Sequence, residues 1–145
     1  FTVWGAKIHP VSAHNHDQAM SMVQVMRHFS TIAYGHHLMA EGADLSQLVE
    51  LSSPIYRLEL SMVGRLFAQD PVLYSDIIFA NPDNVGMMKR FAHRFLELLE
   101  DVEAGDKKAF ITMFDQVSNW FGDYADIFMQ ESKEMLLKAN ELKKD

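Results

Sequence analysis

The sequence predicts an all-α protein, and three observations carry that prediction. Ser53-Pro54, Asp70-Pro71 and Asn81-Pro82 each join a side chain able to accept from free backbone N–H groups to a proline at a first helical position. A missing N–H costs nothing there. The stretches that follow carry apolar residues three and four apart, the period of a helix face. Gly42, Gly105 and Gly122 fall where those stretches stop, as expected of glycines that end or break helices.

The elements come in order along the chain. Thr2-Val3-Trp4-Gly5-Ala6-Lys7-Ile8 is strand-like and His9-Pro10 stops it. A single strand has no partner in a helical chain. Residues 1–11 are therefore expected to close a sheet whose other strands lie upstream, and residues 12–145 to form the helical domain. Caps between Ser12 and Asp17 open a long helix over residues 14–40, with Met22, Val25, Met26, Phe29, Ile32 and Ala33 as its apolar line. Asp17, Ser21, Gln24, His28, Thr31 and Gly35 form a second, polar or small stripe, which reads either as a wetted face or as the wall of a polar cavity. Asp44 caps a short helix to Leu51, and a helix from Pro54 runs up to Asp70. Shorter and longer helices are expected over residues 71–79 and 82–103, then from Asp106 through Trp120, and from Asp123 to Leu142.

The helix over residues 54–70 is expected to be central. Ile55, Leu58, Met62 and Leu66 fall on one side, while Tyr56, Leu60, Val63 and Phe67 fall nearly opposite, so both sides should be packed. Arg65 interrupts the first line beside Leu58 and Met62, with Gln69 one turn further on. A guanidinium cannot shed its proton, so in such a place it calls for an anion, and its planar fork suits a carboxylate. That carboxylate belongs either to an acidic residue of the same protein or to a ligand.

Composition removes several functions. The chain has 145 residues, enough for one domain with a real core. The absence of cysteine excludes disulfides, thiolate metal sites and a cysteine nucleophile. A net charge of −7 argues against a nucleic-acid partner. No apolar run reaches the length of a membrane span, so no membrane partner is expected and the cytoplasm is the default location. Neither His14 with His16 nor the adjacent His36-His37 has the i, i+4 spacing that puts two ligands on one helical face, and no metal site is expected. The glycines form neither a dinucleotide fingerprint nor a phosphate loop. The many Met and Phe residues on wide apolar faces read as core, with a second copy of the chain as the alternative cover for part of that surface.

The segment Leu51-Ser52-Ser53-Pro54-Ile55-Tyr56-Arg57-Leu58-Glu59-Leu60, continued by Met62-Val63-Gly64-Arg65-Leu66-Phe67-Ala68-Gln69-Asp70, resembles the hallmark segment of prephenate dehydrogenase. The resemblance is nearest to the form fused to a chorismate mutase. His16-Asp17, Arg27-His28-Phe29-Ser30 and Trp120-Phe121-Gly122-Asp123-Tyr124 fit the same pattern, and Val3-Trp4-Gly5-Ala6-Lys7 looks like the end of a nucleotide-binding domain. The resemblance implies an all-α, multi-helix dimerisation domain similar to the C-terminal fold of 6-phosphogluconate dehydrogenase. It implies oxidative decarboxylation of prephenate to 4-hydroxyphenylpyruvate with reduction of NAD, in tyrosine biosynthesis, with L-tyrosine as inhibitor and a homodimer as the assembly.

Residue by residue, the resemblance makes Arg65 the group that grips a prephenate carboxylate and His28 a pocket histidine, with Gln69 and Tyr74 as further substrate-binding neighbours. The family's catalytic histidine and glycine-rich loop lie in the nucleotide-binding domain. This chain is thus expected to hold no catalytic residue, to bind no NAD alone, and to be inactive alone; the alternative readings are a dimerisation module with no ligand of its own or a regulatory module that binds tyrosine.

Overall fold

We describe residues 9–141 in a computed structural model of the chain, without the side chains of residues 139–141. The strand expected within residues 1–11 falls on residues 2–8, outside the described part. Among the described residues the regular elements are all helical: α1 (Ala13–Met20), a π turn (Ser21–Met26), α2 (Arg27–Ala40), α3 (Leu45–Leu51), α4 (Pro54–Phe67), α5 (Pro71–Phe79), α6 (Asp83–Glu103), α7 (Lys107–Phe121) and α8 (Asp123–Glu141).

The capping chemistry is as the sequence predicts. The Ser12 side chain accepts from the Asn15 amide, Asp44 from Ser46 and Gln47, and Ser53 from Tyr56. Asp70 accepts from Val72, Asn81 from Asp83 and Asp106 from Ala109. Each bond satisfies a donor that the helix itself leaves free. At the C-terminal ends, Gly42, Gly105 and Gly122 all have φ between 52° and 67°. Only glycine reaches that region cheaply, which is why the helices stop there.

Two expectations about continuity need correcting. The helix expected over residues 14–40 is interrupted by the π turn at Ser21–Met26. The helix opened by Pro54 ends at Phe67, short of Asp70, which caps α5 as expected.

The described residues divide into two compact units. The first holds the chain up to Gly42 together with Val63–Met88; the second holds Ala43–Met62 and everything from Lys89. In the first unit α5 packs on both the π turn and α2. Its core is Val25, Val63, Leu66, Tyr74 and Met87, with one buried polar residue, Asn84. Gly35 matters here, because a Cβ at that position would overlap the Phe67 ring. The glycine is what lets that ring lie against the backbone of α2.

In the second unit α7 meets α8 across the Gly122 turn, where Phe121 lies edge-on to both Trp120 and Phe128. None of this unit's described side chains is buried. The expectation that the Pro54 helix is packed on both sides is therefore not met. Ile55, Leu58 and Met62 are exposed, Tyr56 and Leu60 are half-buried, and only Val63 and Leu66 are buried. An apolar line reports that a face will be covered, but does not say that the same chain covers it.

Candidate functional site

The four residues singled out from the sequence, His28, Arg65, Gln69 and Tyr74, all belong to the first unit, where they form two pairs. His28, on α2, sets its ring edge-on to Tyr74 of α5, with centroids 4.8 Å apart and planes at 72°. This edge-to-face arrangement is the one that aromatic quadrupoles favour. Tyr74 is buried, and the Nδ1 atom of His28 is enclosed without a hydrogen-bond partner. Burial lowers the His28 pKa below its ordinary value of 6.5, and the neighbouring Arg27 charge lowers it further. The ring is therefore neutral near pH 7. It can then donate from one nitrogen and accept at the other.

The second pair lies on the last turn of α4 and just beyond. The Gln69 side chain donates to the Arg65 carbonyl at 3.0 Å, which ties the glutamine to the helix end. Arg65 itself is exposed, and among the described residues no acidic side chain forms an ion pair with it. Among the described residues the close acid–histidine contacts are His16 with Asp17 and His93 with Glu97, both at the surface.

The first unit also carries a half-open pocket of about 700 Å³. Phe29, Ile32, Leu66, Phe67, Ile78 and Met88 contribute to its walls, and Gln69, Ser75 and Asn81 add polar groups. Tyr74 lines it too, but Arg65 and His28 do not, and no lysine, arginine or carboxylate is among its lining residues. A carboxylate placed deep in this pocket would meet no cation, so the pocket is chemically distinct from the corner that Arg65 marks.

The stripe of small and polar residues on α1 and α2 is neither a uniform wetted face nor a uniform wall. Ser21, His28 and Gly35 turn toward neighbours in the first unit, on Asn84, Tyr74 and Phe67 respectively. Gln24 is exposed, and Thr31 donates back to the Arg27 carbonyl. What the sequence analysis missed is the Ser21–Asn84 contact. The sequence carries no signal for it, because Asn84 is buried beside Met87 in α6 while its partner Ser21 lies 63 residues away. Among the described residues no group of three or more His, Cys, Asp or Glu side chains could hold a metal ion, and no helix is long and apolar enough to cross a membrane.

Fold and site together define a class: a helical domain in which one unit has its own core while the other leaves apolar faces open for another surface. The sequence matches the family described as "Prephenate dehydrogenase, dimerization domain" over residues 12–116. The chain belongs to that family. It is 55% identical over 139 residues to a T-protein of Enterobacter agglomerans, covering 96% of this chain and 37% of that protein. It is 47% identical over 141 residues to a T-protein of Haemophilus influenzae, again covering 97% of this chain and 37% of the relative. A probable arogenate/prephenate dehydrogenase of Methanocaldococcus jannaschii is 32% identical over 83% of this chain and 27% of its own length. The chain thus spans little more than a third of the length of the two T-proteins and about a quarter of that of the third relative.

Proposed function

We propose that this chain is the helical substrate-binding and dimerisation part of a cytoplasmic, NAD-dependent prephenate dehydrogenase. The observation that carries the reading is Arg65: an exposed guanidinium with no acidic partner among the described residues, in a chain of this family. A free guanidinium can take a carboxylate through two parallel charge-assisted bonds. Arg65 then holds a carboxylate of prephenate. Gln69 supports the end of α4 that carries it, and the neutral His28 ring on Tyr74 offers a hydrogen bond to a substrate oxygen. L-tyrosine, which also carries a carboxylate and an aromatic ring, inhibits by competing for the same contacts.

NAD does not fit the residues of this chain. They contain no glycine-rich fingerprint, so no step through the cofactor is assigned to them. The cofactor belongs to a nucleotide-binding domain upstream, which residues 1–11 would close, with residues 12–145 as the helical domain. The share of these residues in catalysis is positioning, which can supply a large part of a rate enhancement when the reacting atoms are held aligned.

The second copy is the partner that the open unit requires. Phe110, Phe114, Val117 and Phe121 repeat at 4-3-4 spacing on α7, the pattern of a helix seam, and all four are exposed.

The decisive experiment is Arg65→Gln in the full-length protein. Loss of one bidentate charge-assisted contact should raise the KM for prephenate by about 10²-fold. The melting temperature should stay within a degree or two, because an exposed residue away from the core contributes little to stability. A variant that melts far lower, or one that keeps its KM, would remove Arg65 from the substrate site.

A further inference from the structure

The first unit contains a polar connection between distant parts of the chain. Asn84 is 3% exposed. Its Nδ2 donates to the Ile78 carbonyl at 3.3 Å, and its Oδ1 accepts from the Ser21 hydroxyl at 3.1 Å. The Ile78 carbonyl can only accept, so it dictates which way round the amide sits and leaves Oδ1 for Ser21. The same Ser21 hydroxyl lies 3.0 Å from the Asp17 carbonyl. With one hydrogen for two acceptors, it is shared between its own helix and Asn84.

Ser21 is also the first residue of the π turn, and His28 comes two residues after the turn ends. A π turn widens the helix by roughly one residue, so closing it to α geometry would rotate α2 by about 100° relative to α1. Two anchors oppose that rotation. Ser21 is tied to Asn84 at the start of the turn, and Gly35 lies against Phe67 further along α2. His28 sits between them, with an enclosed, unpartnered Nδ1. A buried polar atom without a partner costs free energy that hydration would return. The ring therefore stays on Tyr74 only while its surroundings hold it there.

We propose that Asn84 is a positioning residue for His28: acting through Ser21, it holds the π turn and so seats the His28 ring on Tyr74. The consequence for substrate rests on the reading of His28 as a substrate-site residue, while the consequence for the ring does not.

The test uses the full-length protein with 13Cε1-labelled histidine, the His28 resonance being assigned by its loss in His28→Gln. In Ser21→Ala the His28 signal should lose its ring-current shift and its proton contact with Tyr74, and the KM for prephenate should rise about tenfold, the scale of one misplaced hydrogen bond, with kcat little changed. Ser21→Thr, which keeps the hydroxyl, should restore both. Asn84→Ala should displace the ring in the same way and also lower the melting temperature, since Ile78 loses its donor. A merely structural Asn84 would lower melting without moving the ring. If His28 keeps its contact with Tyr74 in Ser21→Ala, the proposal is overturned. If the contact is lost while KM is unchanged, the positioning role stands and it is the substrate role of His28 that fails.

Discussion

The two units share one helical vocabulary, yet they differ in what covers their apolar faces. Among the described residues all six that are buried, Val25, Val63, Leu66, Tyr74, Asn84 and Met87, lie in the first unit. In the second, Phe114 is 64% and Trp120 is 78% exposed. Helix α6 shows the change within one element. Asn84 and Met87 are buried in its first turns, whereas Phe91, Phe95, Leu99 and Val102 further along are all exposed. An amphipathic face is a demand for cover, and the first unit meets that demand from its own chain. Large contiguous exposed apolar faces of the second kind mark interaction surfaces.

The largest expected effect breaks the comparison at the second unit. Phe114→Asp puts a charge on the α7 seam. If that seam is covered by a second copy, loss of one central aromatic should cost about 2–4 kcal/mol of association, raising the dimer Kd by roughly 30- to 700-fold. Sedimentation at micromolar concentration should then show monomers. An unchanged dimer would place the interface elsewhere. Leu66→Ala is the counterpart in the first unit. It removes a buried side chain from a self-contained core and should cost about 2–5 kcal/mol. Its melting loss should not depend on protein concentration, whereas that of Phe114→Asp should, because dissociation obeys mass action.

The contrast also shows what could be read without coordinates. Helix starts were legible because capping is local: Ser53, Asp70, Asn81 and Asp106 each satisfy donors within three residues. The stops at Gly42 and Gly122 were legible for the same reason. The resemblance pointed to the family that residues 12–116 match. Other features were hidden because they depend on partners far along the chain. Which end of the Pro54 helix is buried, with Val63 and Leu66 covered and Ile55 and Met62 exposed, could not be told by periodicity. Both lines repeat equally well along the helix, and only tertiary contact chooses which end is covered. The π turn was invisible because Ser21–Met26 has an ordinary helical composition, while its Ser21 is held by Asn84, 63 residues away. Arg65 was noticed as a misplaced cation, but whether an acidic neighbour paired it was a question only the structure could answer.

A smaller perturbation sharpens the account of the first unit. Gly35→Ala would drive a methyl group into the Phe67 ring. Displacing this partly exposed ring costs about 1–3 kcal/mol at most, and alanine's better helix propensity returns about 1 kcal/mol of it. Shrinking the obstacle should relieve it, so Gly35→Ala with Phe67→Leu should be more stable than the sum of the two single losses, as chemical unfolding would show. Simple additivity would mean that Gly35 is not needed for close approach.

The smallest effect concerns His28, and its sign comes from the direction of its shift. The folded ring binds a proton less readily than a histidine of ordinary pKa 6.5, because burial and then the Arg27 charge disfavour the imidazolium. On acidification the unfolded chain takes up its proton first. Stability is therefore intact above pH 6.5 and declines as the pH falls through 6.5 toward the lower folded value. Other histidines and the carboxylates titrate nearby, so the informative quantity is the difference between the native protein and His28→Gln in urea unfolding at pH 7.5, 6 and 5, with less than one proton's worth of slope between them. The native protein should lose more stability than the variant over that span. Equal losses would mean that the ring is free to turn its buried nitrogen to water. His28 would then lack a fixed seat on Tyr74.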